Sequence, residues 1–113
     1  MAEGTISFSE FKRLQLVVGT VTSVEPHPNA DKLYVLKVNL GGEERQLVAG
    51  LKSYYEPEQL NGKQLVIIAN LEPANIRGVE SRGMLLAAQH DDKPEEVVIV
   101  APERPMAPGA KVL

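Results

Sequence analysis

Two clusters of polar residues in this 113-residue sequence are of types that could hold a metal ion or act as acid and base. His27 and Asp31 lie four residues apart, and His90 is followed directly by two aspartates. Metal sites built on histidine need further histidine, cysteine or carboxylate ligands at characteristic spacings, and the chain has no cysteine. Neither spacing matches such a site. We therefore interpret His27 as a solvated turn residue and the cluster at His90 as a surface loop.

Nucleophilic catalysis has no clear signature either. The serines at positions 7, 9, 23, 53 and 81 lack the context of a nucleophile elbow, and no glycine-rich loop of the phosphate-binding type leads into a helix. Glu25 and His27 are too close along an extended chain to define an acid–base dyad. The sequence predicts no catalytic activity and no cofactor. A small hydrolase or metal enzyme using His27 and Asp31 stays open as an alternative that a metal assay would test.

The remaining candidates are polar and basic side chains in two loops, "HPNADK" (27–32) and "NIRGVESRGM" (75–84). Their cations could contact phosphate or sugar oxygens, their neutral groups could add hydrogen bonds, and a methionine could contact a base. The candidate cations are Lys32, Arg77 and Arg82, the candidate neutral groups are Asn29 and Ser81, and the methionine is Met84. Each could instead be structural, since an asparagine or aspartate often closes a turn and a methionine often lies in a core.

The elements that must position these loops have strand character. Gly19, inside the first strand, indicates a bend or the close approach of another element. Five short strands with a helical interruption after the third favour a small closed barrel, the all-β OB fold. Alternating or continuous apolar residues place these strands at 14–25, 32–40, 45–51, 64–71 and 84–89, with a further strand at 97–102.

Short helices are predicted before the barrel and within it. Ser7 and Glu10 have the spacing of a capping box, and Ile6 and Phe11 that of a hydrophobic staple, so a helix of about two turns should begin here. Pro57 suits the first position of a helix and Gly62 the position just past its end, so one helical turn is predicted between the third and fourth strands.

The whole chain, 1–113, is expected to be one domain. The barrel should occupy about 11–90, and a C-terminal extension, about 91–113, should be partly strand and partly extended over the surface. We expect 72–83 to be a loop and the charged segment 90–96 to interrupt the strands. The N-terminus lacks an apolar run and no segment reaches the length needed to span a bilayer, so a cytoplasmic protein without a membrane partner is predicted.

Charge and aromatic content limit the kind of ligand. The net charge is −3, and 1–90 holds nine Lys or Arg against ten Asp or Glu. Proteins that coat nucleic acid through bulk positive charge are usually basic, and those that stack successive bases need several exposed rings, whereas this chain has five Phe and Tyr in all. If the ligand is a nucleic acid, these features favour a folded one recognised by shape.

Four motifs in this sequence make the segment from about Phe11 to Ala88 resemble the structure-specific tRNA-binding domain family. That family includes stand-alone dimeric proteins and the C-terminal domain or beta subunit of methionyl-tRNA synthetase. The tail from Glu96, "EVVIVAPERPMAPGAKV", is similar to the extension of these members. The four motifs, as they stand here, are "HPNADKLY", "GLKSYYEPEQLNGK", "NLEPANIRG" and "SRGMLLAA".

The resemblance implies an OB barrel that binds tRNA by its folded shape at the outer corner of the L, without catalysis. It also implies a homodimer whose interface includes the extension, and an association with the catalytic chain of methionyl-tRNA synthetase. Matched position by position, the motif residues that the resemblance assigns to tRNA binding are Lys32, Ser81 and Met84, and Asn29 and Arg77 also lie within the four motifs. Arg82 is added from its charge and position alone. The overall negative charge predicts weak binding, because few phosphate contacts release few counterions.

A chaperone related to protein export has the same barrel and binds peptides, and it is the main alternative. That function would require an exposed apolar groove in place of a basic one. The match at "HPNADKLY" favours tRNA.

Overall fold

A computed structural model of the chain describes residues 4–113. Most of its regular structure is strand. In chain order the elements are α1 (Phe8–Lys12), β1 (Leu16–Pro26), β2 (Tyr34–Asn39), β3 (Glu44–Ala49), α2 (Pro57–Leu60), β4 (Gln64–Ile68), β5 (Ala74–Ile76), β6 (Val79–Ser81), β7 (Met84–Leu85), β8 (Ala87–His90) and β9 (Lys93–Ile99).

The long first strand is the centre of the barrel. Five antiparallel strands form one sheet in the order β3-β2-β1-β4-β7. The first half of β1 pairs with β4 and the second half with β2, with a bulge between Val21 and Ser23. A bulge bends a strand and increases its twist. Gly19 is buried, and a Cβ added there would lie 2.5 Å from Cγ1 of Val38, so the close approach predicted for this glycine is confirmed.

The sheet curls around one apolar core. In β2 the buried residues alternate with half-buried ones, as period-2 patterning requires. The two edges of the curled sheet meet where Arg82 N donates to Gln46 O at 2.9 Å. The five-stranded OB-type barrel predicted from the strand pattern is confirmed. Its core consists of Val21, Tyr34, Leu36, Val38, Leu47, Ala49, Leu51, Leu60, Leu65, Ile67, Leu85 and Ile99.

Both predicted helices are present. In α1, Ser7 Oγ accepts from Glu10 N at 3.1 Å and Glu10 Oε1 accepts from Ser7 N at 2.9 Å, which is the predicted capping box. Ile6, the expected staple residue, is 66% exposed, and the aromatic neighbour of Phe11 is Phe8, with ring centroids 6.2 Å apart. The helical turn α2 has its proline at the first position, as predicted.

Three predicted boundaries were wrong. The expected loop 72–83 contains a β-hairpin, β5–β6. The strand predicted at 84–89 is divided, because β7 pairs with β4 in the barrel whereas β8 pairs with β9. The strand β9 begins at Lys93, inside the segment expected to interrupt the strands, and its first four residues are exposed. Charged side chains are tolerated there because this end of β9 has no buried face.

The C-terminal residues 100–113, here called the tail, return to the start of the barrel. Gly109 N donates to Val18 O at 2.7 Å, Val18 N to Ala110 O at 2.9 Å, and Val112 N to Leu16 O at 2.9 Å. The tail thus occupies the edge of β1 that β2 leaves unpaired, and the predicted extended path over the surface is confirmed. Within the described range, no helix is both long and apolar enough to cross a membrane.

Candidate nucleic-acid interface

The first candidate segment is the connection between β1 and β2, residues 27–33, here called the first loop. His27 N donates to Leu33 O at 3.0 Å, which continues the β1–β2 ladder across the base of the loop. Asn29 N donates to Nδ1 of His27 at 2.9 Å. This turn is followed by the exposed Lys32 just before β2 begins, so the stiff proline-containing turn sets where the lysine leaves the barrel.

The second candidate segment is the β5–β6 hairpin, residues 74–81, here called the hairpin. Its turn is Arg77–Gly78, and both residues have positive φ, 55° and 94°. Two consecutive positive φ values are the signature of a tight hairpin turn whose twist matches that of the strands. Arg77 is a non-glycine residue in the left-handed region, where a side chain is strained. Asn75 Oδ1 accepts from Gly78 N at 2.9 Å and closes the turn.

The two segments are joined directly, although about fifty positions separate them in sequence. Asn29 Nδ2 donates to Arg77 O at 3.1 Å, and Arg77 Nη2 donates back to Asn29 O at 3.1 Å. A third hydrogen bond, 2.8 Å long, connects His27 Nε2 to Ile76 O. The first loop and the hairpin are therefore one structural unit. This unit brings together Asn29 and Arg77, which the sequence had placed in separate motifs.

His27 corrects the interpretation made from sequence. It was expected to be a solvated turn residue, but it is only 5% exposed and its two ring nitrogens both have protein partners. Because Asn29 N–H donates to Nδ1, the ring proton lies on Nε2, which donates to Ile76 O. Neither nitrogen is available to a metal ion in this arrangement. Among residues 4–113, no group of three or more His, Cys, Asp or Glu side chains could hold a metal.

Ser81 also lies inside the protein. It is 3% exposed, its hydroxyl accepts from Val48 N at 3.0 Å and donates to Gly83 O at 3.2 Å. Both functions of the hydroxyl are thereby used within the barrel. The serine connects β3 to the short segment before β7, so its geometry suits a residue that positions its neighbours.

The other three predicted residues are exposed. Lys32 follows the turn of the first loop, and Arg82 follows the hairpin. Met84 begins β7, pairs with Ile68 and keeps 39% of its surface exposed. Their side chains are thus accessible to a ligand, as contact residues must be.

Arg45 is a residue that the sequence reasoning missed. Its side chain is only 15% exposed, and Nη1 donates to Ala69 O at 2.6 Å and to Arg82 O at 3.3 Å. An ion pair with Glu43, 3.2 Å long, offsets part of its charge. Arg45 thereby holds the segment that carries Arg82 against β3. Arg45 is the first residue of a predicted strand, and the sequence does not indicate this role, because the partners of its side chain are main-chain carbonyls distant in sequence.

A match to a family model identifies the chain. The model described as "Putative tRNA binding domain" matches residues 16–111, which includes the barrel, both candidate segments and most of the tail. The chain belongs to the tRNA-binding domain family. The resemblance inferred from the four motifs is thereby confirmed.

Curated relatives in this family are methionine–tRNA ligases. The chain is 56% identical over 107 residues to the enzyme of Pyrococcus furiosus and 57% identical over 107 residues to that of Thermococcus kodakarensis. The match covers 95% of this chain but 14% of each relative. The chain therefore corresponds to a small part of these enzymes.

Solved structures share the whole fold. A methionyl-tRNA-synthetase-related protein from Pyrococcus horikoshii superposes with a TM-score of 0.90 at 34% identity, over 97% of this chain and 99% of that one. The chaperone CsaA from Bacillus anthracis superposes with a TM-score of 0.86 at 28% identity, over 97% and 100%. A synthetase-related protein and a chaperone thus share the shape of this chain.

Proposed function

We propose that this chain is a non-catalytic module that binds folded tRNA by shape, at the outer corner of the L. The observation that carries this proposal is the joined unit of the first loop and the hairpin. It supports Asn29 and Arg77 on a rigid backbone, with Lys32 and Arg82 exposed beside its two segments. Rigid placement favours recognition of one shape, because fewer conformations are lost on binding.

The charge of the chain fits recognition by a few contacts. The net charge is −3, so no bulk positive field draws in polyanions. Tyr34 is buried and Tyr55 half-buried, which leaves few rings for stacking with single-stranded bases. Phosphate contacts by Lys32, Arg77 and Arg82 would position the tRNA without reading bases. Ser81 would contribute by positioning Met84 and its neighbours.

The names of the relatives point to the assembly in which the module works. Because the chain spans 14% of the curated methionine–tRNA ligases that it matches, we propose that it acts as, or with, the appended domain or beta subunit of such a synthetase. Its role would be to increase the affinity of the catalytic chain for tRNA. A second, weak site linked to a first raises overall affinity through effective concentration.

We further propose that the module is a homodimer with the extension 91–113 in its interface. The β8–β9 hairpin lies outside the barrel sheet, and Val98, Val100 and Met106 are 58%, 41% and 54% exposed. All three exposed apolar side chains belong to the extension, and a protein contact there would remove them from water. Sedimentation equilibrium of the purified chain would test this, and a monomer at micromolar concentration would contradict it.

The experiment for tRNA binding compares folded tRNA, the same tRNA unfolded, and a tRNA whose D- and T-loops are shortened, each titrated by fluorescence anisotropy across a salt series. Folded tRNA should bind most tightly at every salt concentration, with a shallow dependence of log Kd on log salt. Shortening the loops should weaken binding because it removes the outer corner. Equal affinity for the folded and unfolded forms would overturn shape recognition.

A matched pair of lysines sharpens this experiment. Lys32→Ala should weaken binding about three- to tenfold at low salt and reduce the salt slope by about 0.7–0.9, the contribution of one phosphate contact. Lys12→Ala is the control, because Lys12 is exposed on α1, outside both candidate segments and outside the extension. An equal effect of the two substitutions would mean that only net charge matters and that the joined unit is not the site.

The second candidate function is binding of unfolded peptide, as the name of the CsaA structure suggests. A cavity of about 430 Å³ between α1 and the C-terminus gives it a specific basis, since its lining includes Phe11, Leu14, Leu16 and Val112. Binding of an apolar peptide that tRNA does not displace would favour this function. Competition between the two ligands, or no peptide binding, would favour the tRNA module.

A further inference from the structure

His27 stands out among the buried residues because it is polar and lies between the two segments of the candidate site. It is 5% exposed, whereas the other histidine, His90, has a side chain that is 75% exposed. Its Nδ1 accepts from Asn29 N within the first loop, and its Nε2 donates across to Ile76 O in the hairpin. The imidazole therefore spans the boundary between the segments.

The hairpin needs such an attachment. It forms a separate two-stranded sheet of three residues per strand, and isolated two-stranded hairpins are marginally stable in water. At its base it is held to β3, where Gln46 Nε2 donates to Glu80 O at 2.8 Å. At its turn, the strained Arg77 is held by Asn29 and by the neighbouring bond from His27 to Ile76 O.

We propose that His27 is a positioning residue for tRNA binding, which acts by holding the turn of the hairpin, and with it Arg77, against the first loop. This inference rests on the proposed function and assigns to the histidine a role without direct ligand contact. Because His27 is buried, it does not offer its ring to a phosphate or a base. Its effect on affinity comes from keeping the two loops in one geometry before tRNA arrives.

Two substitutions separate the two hydrogen bonds of the ring. His27→Gln places an amide N–H near the position of Nε2 and can still donate to Ile76 O. His27→Asn places an oxygen near the position of Nδ1 and can still accept from Asn29 N, but it does not reach the hairpin. The bond across the boundary is the important one, so His27→Asn should weaken tRNA binding about tenfold, and His27→Gln should restore much of that loss.

His90→Ala is the matched control, because it removes an exposed imidazole far along the chain and should leave affinity unchanged. Thermal unfolding of each variant verifies that the barrel is intact at the temperature of the titration. Since His27→Ala could destabilise the fold, the conclusion rests on the difference between the asparagine and glutamine variants.

A double-mutant cycle tests whether His27 acts through Arg77. In an Arg77→Ala background, His27→Asn should weaken binding less than it does in the unsubstituted protein, because the side chain that it positions is gone. Fully additive losses would overturn action through Arg77.

A measurement without tRNA separates this inference from the proposed function. Amide hydrogen exchange within residues 74–81 should be faster in His27→Asn than in the unsubstituted protein, while exchange in β4 stays unchanged. Unchanged exchange in the hairpin would overturn the positioning role itself, as would equal tRNA affinities of the asparagine and glutamine variants. Failure of the unsubstituted protein to bind tRNA would overturn the proposed function, and with it the link from loop position to affinity, even if the exchange result held.

Discussion

The candidate site and the tail are both irregular segments that lie on the same barrel, yet they are held in different ways. The tail is held mainly by main-chain hydrogen bonds to β1, at Gly109, Ala110 and Val112. The side chain of Gln64 in β4 adds to them, because it bonds the main chain of Met106. The first loop and the hairpin are held together by hydrogen bonds that each involve a side chain of His27, Asn29 or Arg77. The tail behaves as an added strand, whereas the site depends on particular side chains.

This difference predicts whether substitutions in each region change the stability of the fold or its affinity for tRNA. A main-chain ladder tolerates many side chains, so substitutions in the tail should matter only where the backbone needs a special shape. A junction made by three side chains loses its geometry when one of them is changed. Substitutions in the tail should therefore change stability more than affinity, and substitutions at the junction should change affinity more than stability.

The largest expected effect is that of Gly109→Ala. Gly109 has φ of 89°, and a Cβ there would collide with Leu40 O. We expect the free energy of unfolding to fall by about 2–4 kcal/mol, measured by urea denaturation, because strain and collision add. Gly62→Ala is the control, since Gly62 has φ of 85° with open space around it, and it should cost only about 1 kcal/mol.

Gly109→Ala also tests whether the tail and the candidate site are independent of each other. Once the temperature is low enough for Gly109→Ala to be folded, its tRNA affinity should lie within about twofold of that of the unsubstituted protein. A tenfold loss of affinity in the folded variant would show that the tail and the site are coupled, and the proposed division of roles would fail.

The next effect in size is that of Ser81→Ala, which should change both properties. Removing the hydroxyl leaves the buried Val48 N–H without its partner, and this should lower the free energy of unfolding by about 1–3 kcal/mol. Affinity should fall as well, because Gly83 and Met84 lose the bond that fixes them. The exposed Ser53 supplies the control Ser53→Ala, for which both values should be unchanged. Lower stability with intact affinity would mean that Ser81 supports the barrel alone.

The smallest effect concerns Tyr34, the first residue of β2, which is linked through Tyr55 to β9. Its hydroxyl donates to Tyr55 O at 2.7 Å, and Tyr55 Oη accepts from Ile99 N at 3.0 Å. Burial raises the pKa of Tyr34, and the nearby carboxylates of Glu56 and Glu58 raise it further. The folded state therefore keeps this proton at a pH where the unfolded state has lost it.

Tyr34 makes the stability of the protein depend on pH in the alkaline range. The contribution of Tyr34 to stability is complete below about pH 10, the ordinary pKa of tyrosine, and is lost as the pH rises through the raised value. Tyr34→Phe should make the decline of the melting temperature above that pH less steep. An identical decline in both proteins would show that other groups control alkaline unfolding.

Much of the barrel could be predicted because its signals are local. The capping box at Ser7 needs two residues three positions apart, and β2 shows its buried face through strict alternation. The hairpin was missed because each of its strands has three residues, too few for a period. A signal did exist, since "IRGV" places a glycine at the second turn position between two β-branched residues.

The site residues divide in the same way. Lys32 and Arg82 could be proposed from residue type and loop position, and both are exposed. His27 was interpreted wrongly because a histidine between two prolines looks like an ordinary turn residue. The carbonyl that accepts its hydrogen bond belongs to Ile76, 49 positions away, and the sequence gives no sign of that contact. Arg45 was overlooked for the same reason, since its partners are the carbonyls of Ala69 and Arg82.

The positions of the main barrel strands, the helix caps and the family of this chain could be read from short patterns, because alternation and capping depend on neighbours a few residues apart. Which polar residues face a ligand and which hold the loops in place could not, because that depends on contacts between segments that meet only when the sheet curls and its edges join. His27 and Ser81 became buried through that closure, and Lys32 stayed exposed. The physical reason is that a side chain's burial is a property of the surfaces that close around it.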